Sequence, residues 1–211
     1  MILILFLNNF YKYSMQEDFW NNRNNYKYFT DTLVPKELED SLDNIITKCP
    51  IQRGQSSYAR FLKCTREDLI VKETLTSPVF KNHRTGYNEI APITAPLVYF
   101  VCAGKNQDFD NKHAFLIAGA MLGEALRHGY DFSFIGCTEE PTKKEMKTIQ
   151  KCIQERFSIN KISQPQLALC IGKGAEEPDT HITHTYTLHN GKSITYSKER
   201  NRDRIVPRLF T

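Results

Sequence analysis

Residues 111–137 read NKHAFLIAGAMLGEALRHGYDFSFIGC, and this stretch decides the fold. Ala114, Ala118, Gly119, Ala120, Gly123 and Ala125 are all small, which predicts a long helix from Asn111 to His128 packed closely on nearly every side. Gly129 stands where a left-handed C-terminal cap belongs, since a residue without Cβ adopts positive φ at little cost. Asp131 to Ile135 then alternates as a short strand does, and Gly136 stops it.

The flanking segments continue the interleaving. Leu97 to Cys102 is continuously apolar, the pattern of a strand covered on both faces and therefore central in its sheet. Before it, Pro35 opens a helix whose Leu38, Leu42, Ile45 and Ile46 share one face and which ends near Cys49-Pro50. Gln52-Arg53-Gly54-Gln55 reads as a loop, and Tyr58 to Cys64 as a strand. After the central stretch, Thr142-x-x-Glu145 is a capping box for a helix with Met146, Ile149 and Ile153 inward. Gln166 to Ile171 predicts a further buried strand ending at Gly172. An acidic, proline-containing loop (residues 175–180) follows, then a hairpin, Thr185 to Leu188 and Ser193 to Tyr196, turning at Asn190-Gly191. The tail is basic, with Lys198, Arg200, Arg202, Arg204 and Arg208. Without a repeat period or a low-complexity linker, this is an α+β chain with a mixed sheet in one domain.

Composition agrees. The chain has 211 residues, 40% hydrophobic and 25% charged, which suits a folded globular protein rather than a disordered one. The formal charge of +4 is scattered, so it suits a phosphorylated ligand better than a nucleic-acid groove. Cys49, Cys64, Cys102, Cys137, Cys152 and Cys170 form no C-x-x-C pair and read mostly as small core residues in a reducing compartment. The apolar run Ile2 to Leu7 is shorter than a signal-peptide core, and no stretch approaches the ~20 apolar residues of a membrane span, so the expectation is a cytoplasmic protein without membrane contact. Ser14 and Glu17 cap a helix beginning at Met15. Residues 1–14 are accordingly expected to be either a dispensable, disordered leader or a stretch upstream of a true start at Met15, and residues 15–211 the domain.

Several chemistries fall away. No G-x-G-x-x-G follows a strand and no G-x-x-x-x-G-K-[ST] is present, which removes the dinucleotide fingerprint and the P-loop. His181, His184 and His189 lack a carboxylate or cysteine at ligand spacing, so no metal is expected. No catalytic triad is evident either. What remains is a set of separated basic residues able to converge on an anion: Arg23, Lys27, Arg53, Lys198 and Arg200.

In their order along the chain these segments resemble the nitroreductase-like FMN-dependent flavoprotein family, over nearly the whole chain from about Met15 to Val206. The family's Arg-Arg-Ser-x-Arg-x-Phe phosphate stretch is matched by Arg23-Asn24-Asn25-Tyr26-Lys27-Tyr28-Phe29. Asn25 replaces the serine, and Lys27 gives a point charge where an arginine would give a two-pronged clamp. The family's Ala-Pro-Ser-x-x-Asn-x-Gln-Pro-Trp segment looks like residues 49–58, with Gln55 at the asparagine and the Gln-Pro-Trp missing. Residues 114–137 are similar to the core helix and the glycine peptide whose backbone faces flavin N5 and O4, making Gly136 and the Cys137 N–H the candidates there. Lys198-Glu199-Arg200 matches the closing phosphate contact, and Arg84 corresponds to a basic residue near flavin N1 and O2.

The resemblance implies an α+β fold with a central mixed, mostly antiparallel sheet flanked by helices. It also implies a homodimer with one FMN per active site at the subunit interface, and the helix at 114–127 central in that interface. The implied activity is NAD(P)H-dependent, ping-pong reduction of nitroaromatic, quinone or similar conjugated acceptors through flavin N5, with no side-chain acid or base and no metal. The implied cofactor-binding residues are Arg23, Asn25, Lys27, Gln55, Arg84, Gly136, Cys137, Lys198 and Arg200. Two alternatives stay open: an FMN-dependent dehydrogenase or oxidase of a specific metabolite or peptide, and a flavin-binding module without turnover.

Overall fold

Four strands build the central sheet: β1 (Arg60–Thr65), β2 (Leu97–Cys102), β3 (Asp131–Gly136) and β4 (Pro165–Gly172). They lie in the order β1-β2-β4-β3, and every pairing is antiparallel. The computed structural model describes residues 26, 28–48, 59–81, 88–102, 107–160, 163–175 and 183–197, the side chains of 107–112, 183, 184 and 197 excepted. No parallel pair occurs among the described strands. The expected helix after Ser14 and the 1–14 segment lie outside the described residues.

The two faces of the sheet follow the period-two alternation of its strands. All six residues of β2 are buried, because helices cover both sides. Leu97, Tyr99, Val101, Leu167, Leu169 and Ile171 face α1 (Lys36–Lys48) and α4 (Gln107–Arg127), meeting Leu38, Leu42, Ala114, Ala118 and Met121. Val98, Phe100, Cys102, Ala168 and Cys170 face the other way. Leu75 of α2 (Leu69–Thr76), Ala91 of α3 (Ala91–Thr94), and Ile149 and Ile153 of α5 (Lys143–Phe157) cover them. Each large side chain buried in this manner contributes about 1.5–3 kcal/mol relative to exposure. A separate hairpin, β5 (Thr183–Thr187) with β6 (Ser193–Ser197), packs Leu188, Ile194 and Tyr196 onto Ile90 and Ile93.

Polar anchors fix the helices. Tyr99 Oη donates to Asp43 Oδ1 at 2.7 Å, and Lys63 Nζ reaches Asp43 Oδ2 at 2.8 Å and Glu39 Oε2 at 3.0 Å, tying α1 to β1 and β2. The capping box of α5 is formed as its sequence requires: the Thr142 N–H donates to Glu145 Oε2 at 2.9 Å and the Glu145 N–H to Thr142 Oγ1 at 3.3 Å. Gly129 has φ +71°, the left-handed cap expected after α4. The five described cysteines are free thiols, three of them buried (Cys64, Cys102 and Cys170).

Helix α4 departs from the expectation of packing on every side. Ala114, Ala118 and Ala125 are buried, but Phe115 and Leu116 are 52% and 57% exposed and a Cβ added at Gly119 would meet nothing within 4 Å. The small residues serve contact with α1 and the sheet on one side only, and the other side of the helix is open.

Candidate functional site

Of the expected cofactor-binding residues, Gly136 and Cys137 are described; Arg23, Asn25, Lys27, Gln55, Arg84, Lys198 and Arg200 lie outside the described residues. The chain on either side of most of them is described, and its placement is informative.

The segment that leads out of residues 23–27 is held along β3 and the end of β4. Phe29 bridges Gly174, the Thr30 N–H donates to the Lys173 carbonyl at 2.8 Å, and the Ala175 N–H donates to the Tyr28 carbonyl at 3.1 Å. Tyr26 then turns back over the sheet: its carbonyl accepts from Ser133 Oγ at 2.7 Å, and Ser133 is fully buried. Gly172 and Gly174 permit this approach. A Cβ on Gly172 would stand 2.6 Å from Pro96 Cδ and 2.9 Å from Phe29, and one on Gly174 would collide with the Tyr26 ring. Ser133 precedes Gly136 by three residues on one strand, about 10 Å.

The other flanks arrive at the same region. Lys81 and Asn88 bridge each other, closing the loop that contains Arg84. The Lys81 N–H donates to Thr138 Oγ1 at 3.1 Å, and Thr138 Oγ1 donates to the Lys81 carbonyl at 3.0 Å, so this stem is joined to the chain just beyond Cys137. The Asn88 N–H donates to the Thr195 carbonyl at 3.0 Å, joining the stem to β6, three residues before Lys198. Tyr28 packs against the cluster of Ile90, Ile93, Leu188, Ile194 and Tyr196. The residue after Lys27 and the residue two before Lys198 therefore share one apolar cluster.

Gly136 and Cys137 differ in what they offer. The Cys137 N–H donates to the Gln166 carbonyl at 2.7 Å, extending the β3–β4 ladder. In an antiparallel pair successive residues direct their backbone groups to opposite sides. Gly136, one residue earlier, thus directs its groups away from β4, past the outer edge of a strand that ends the sheet. A Cβ at Gly136 would meet nothing within 4 Å. Burial raises the Cys137 thiol above its ordinary pKa, more than its contacts with Glu139 and Gln164 lower it. The protonated Sγ donates to the Glu139 carbonyl at 3.2 Å, and a thiol in that state is a poor nucleophile.

Gln55 itself lies outside the described residues, between Lys48 and Ala59. Its loop joins Lys48 of α1 to Ala59 at the start of β1, the edge of the sheet opposite β3. Arg60 and Gly136 lie at the same end of the sheet, but three strand spacings separate them, roughly 14 Å.

Among the described residues no group of three or more His, Cys, Asp or Glu side chains could hold a metal ion. His189 bonds Glu73 instead, and His181 and the side chain of His184 lie outside the described residues. No described helix is long and apolar enough to cross a membrane.

The fold has solved counterparts. The chain is similar to an FMN-dependent nitroreductase from Clostridium difficile R20291 at 19% identity, with a TM-score of 0.55 over 78% of this chain and 90% of that one. A second FMN-dependent nitroreductase of the same organism is 13% identical, with a TM-score of 0.56 over 78% and 94%. A nitroreductase family protein from Streptococcus pneumoniae TIGR4 is 13% identical, with a TM-score of 0.51 over 78% and 93%. No protein-family model matches the sequence, and no curated protein does. The chain has the nitroreductase-like fold, an α+β architecture with an antiparallel sheet between layers of helix.

Proposed function

We propose that this chain is an FMN-dependent oxidoreductase that uses NADH or NADPH to reduce nitroaromatic, quinone or similar conjugated acceptors. The observation that carries the reading is the bond from Ser133 to the Tyr26 carbonyl. It docks Tyr26, which stands between Asn25 and Lys27 in the sequence, on the strand that ends at Gly136. The residues present fit the cofactor: basic side chains at both ends of the chain for a phosphate, and a turn at Gly136 where an added Cβ would meet nothing within 4 Å.

When bound, FMN supplies two-electron redox chemistry that no side chain provides. The chain's own work is orientation and charge. Arg23, Lys27, Lys198 and Arg200 would hold the phosphate, with charge-assisted bonds from the two arginines. Arg84 would supply a cation near the pyrimidine edge of the ring, which favours the reduced, negatively charged form. Gly136 would leave one face of the ring accessible, and its outward main chain would make the polar contact that the sequence shared with Cys137.

We read the assembly as a homodimer. Phe115 and Leu116 form an apolar exposed face on α4 that a second copy could cover. The domain is taken to run from about Met15. The test is direct. Purified protein should be yellow, show the absorption bands of oxidised flavin, and oxidise NADH or NADPH with menadione or a nitrofuran as acceptor. A colourless protein that takes up no added FMN would remove the reading.

A further inference from the structure

The sequence contains one Asn-Gly pair, Asn190-Gly191, and the fold exposes it at the tip of the β5–β6 hairpin. His189, Asn190 and Gly191 form a three-residue loop, closed by the Leu188 N–H donating to the Lys192 carbonyl at 2.9 Å. Gly191 takes the left-handed φ of +79° that such loops use, while Asn190 stays outside that region.

Asparagine before glycine is chemically vulnerable. Once it gives up its proton, the glycine amide nitrogen can attack the asparagine Cγ, because the glycine has no Cβ to obstruct the approach. A Cβ built on Gly191 would meet nothing within 4 Å, so the surroundings add no obstruction either. Asn190 Oδ1 accepts from the Lys192 N–H at 2.9 Å, which draws electron density from Cγ and favours attack there. The nucleophile, by contrast, is engaged. The Gly191 N–H donates to the Leu188 carbonyl at 2.9 Å, and that bond must open before a base can take the proton.

Helix α2 resists the opening. Glu73, 4% exposed, accepts from the His189 N–H at 2.9 Å through Oε2 and from Tyr186 Oη at 2.9 Å through Oε1, which also lies 3.3 Å from His189 Nδ1. Leu188 is buried in the cluster of Ile90 and Ile93. The loop is thus pinned at its first residues while Asn190 and Gly191 face water.

We infer that Asn190 is a site of spontaneous deamidation, its rate set by how often the loop lifts from Glu73. When the Gly191 N–H leaves the Leu188 carbonyl, hydroxide takes its proton. The nitrogen bonds to Asn190 Cγ, the Cγ–Nδ2 bond breaks, and the leaving nitrogen takes a proton from water and departs as ammonia. Water then opens the succinimide at either carbonyl, giving aspartate or isoaspartate; nothing is oxidised or reduced. Either product places a new carboxylate one residue from the Glu73 contacts, and isoaspartate also inserts one carbon into the main chain of the loop. The inference does not depend on the FMN reading.

The experiment incubates full-length wild type, Glu73→Gln and Tyr186→Phe at mildly alkaline pH, folded and in guanidinium chloride. Mass spectrometry follows the tryptic peptide 174–192 for the gain of one mass unit, and circular dichroism checks that each variant is folded. Glu73→Gln leaves one acceptor oxygen where there were two; Tyr186→Phe deletes a single bond. Folded wild type should convert at Asn190 about tenfold more slowly than the denatured chain, Glu73→Gln should close most of that gap and Tyr186→Phe part of it. In denaturant all three should convert alike. Folded wild type that shows no conversion when the denatured chain has converted fully would remove the site, and equal folded and denatured rates would remove the lock. A folded Glu73→Gln that converts at the wild-type rate would remove Glu73 as the gate; should that variant not fold, the rate in Tyr186→Phe decides.

Discussion

The buried hydroxyl of Ser133 donates to the carbonyl of Tyr26 at 2.7 Å, joining positions 107 residues apart. The bond fixes the start of the described chain against the middle of an edge strand, and the expected flavin turn closes that same strand. Ser133→Ala should destabilise the protein by about 1 kcal/mol, the net worth of one such bond. If the neighbouring Arg23 and Lys27 hold the phosphate as proposed, it should also lower FMN affinity, because Tyr26 loses its hold on β3. Urea unfolding of the apoprotein together with FMN titration checks both. A stability loss with unaltered FMN affinity would show that this bond does not position the ligand segment.

Arg200→Ala tests the other end of the chain. If its guanidinium holds the phosphate, its loss should weaken FMN binding by about 2–3 kcal/mol, the scale of a charge-assisted contact in a desolvated site. Equilibrium dialysis against FMN is sufficient. Affinity equal to wild type would take the tail out of the site.

Acid sensitivity should trace in part to Glu124 on α4. Its carboxylate accepts from Arg127 at 2.6 and 2.9 Å and from Ser41 Oγ of α1 at 2.5 Å. The Arg127 bonds, aided by Ser41 and opposed by partial burial, hold the carboxyl at about 2, against an ordinary 4.5. A folded-state pKa below the unfolded value means the stabilisation is complete above the unfolded pKa and fades as pH falls toward the folded one. Glu124→Gln should therefore be less stable than wild type at neutral pH, and the gap should close between about pH 4.5 and 2. Thermal melts across that range would show it, and a gap that stays constant would contradict the assignment.

The sequence was legible where elements follow simple periodicities. β2 and β4 are apolar runs buried on both faces, α5 carries its capping box, and the hairpin turns at Asn190-Gly191 with Gly191 at φ +79°. Helix α2 was not legible, and its residues explain why. Its sequence LIVKETLT places Ile70 outside at 60% exposure while Lys72, Glu73 and Thr76 are buried, inverting the amphipathic pattern. Lys72 is tolerated inside because Nζ donates to the Ala95 carbonyl at 2.9 Å, and Glu73 because the hairpin supplies its donors. Both partners are tertiary, so no local window reveals them. The direction of the Cys137 N–H was equally hidden, since it depends on the register of β3 against β4, which residue types alone do not fix.

The open side of α4 gives the last prediction. Phe115 stacks on Phe134 with ring centroids 5.1 Å apart, yet it stays half exposed, and Leu116 beside it is exposed as well. Apolar side chains grouped on one helix face gain about 25 cal/mol for each Å² that a second surface covers. A charge introduced there would be desolvated without a partner on association. If the chain pairs through this face as proposed, Leu116→Asp should leave the fold of one chain intact while converting the dimer to monomers, and FMN affinity should fall with it if the site lies at the subunit interface. Sedimentation equilibrium with and without FMN distinguishes the outcomes. A wild type that sediments as a monomer with full FMN occupancy would show that one chain suffices for the site.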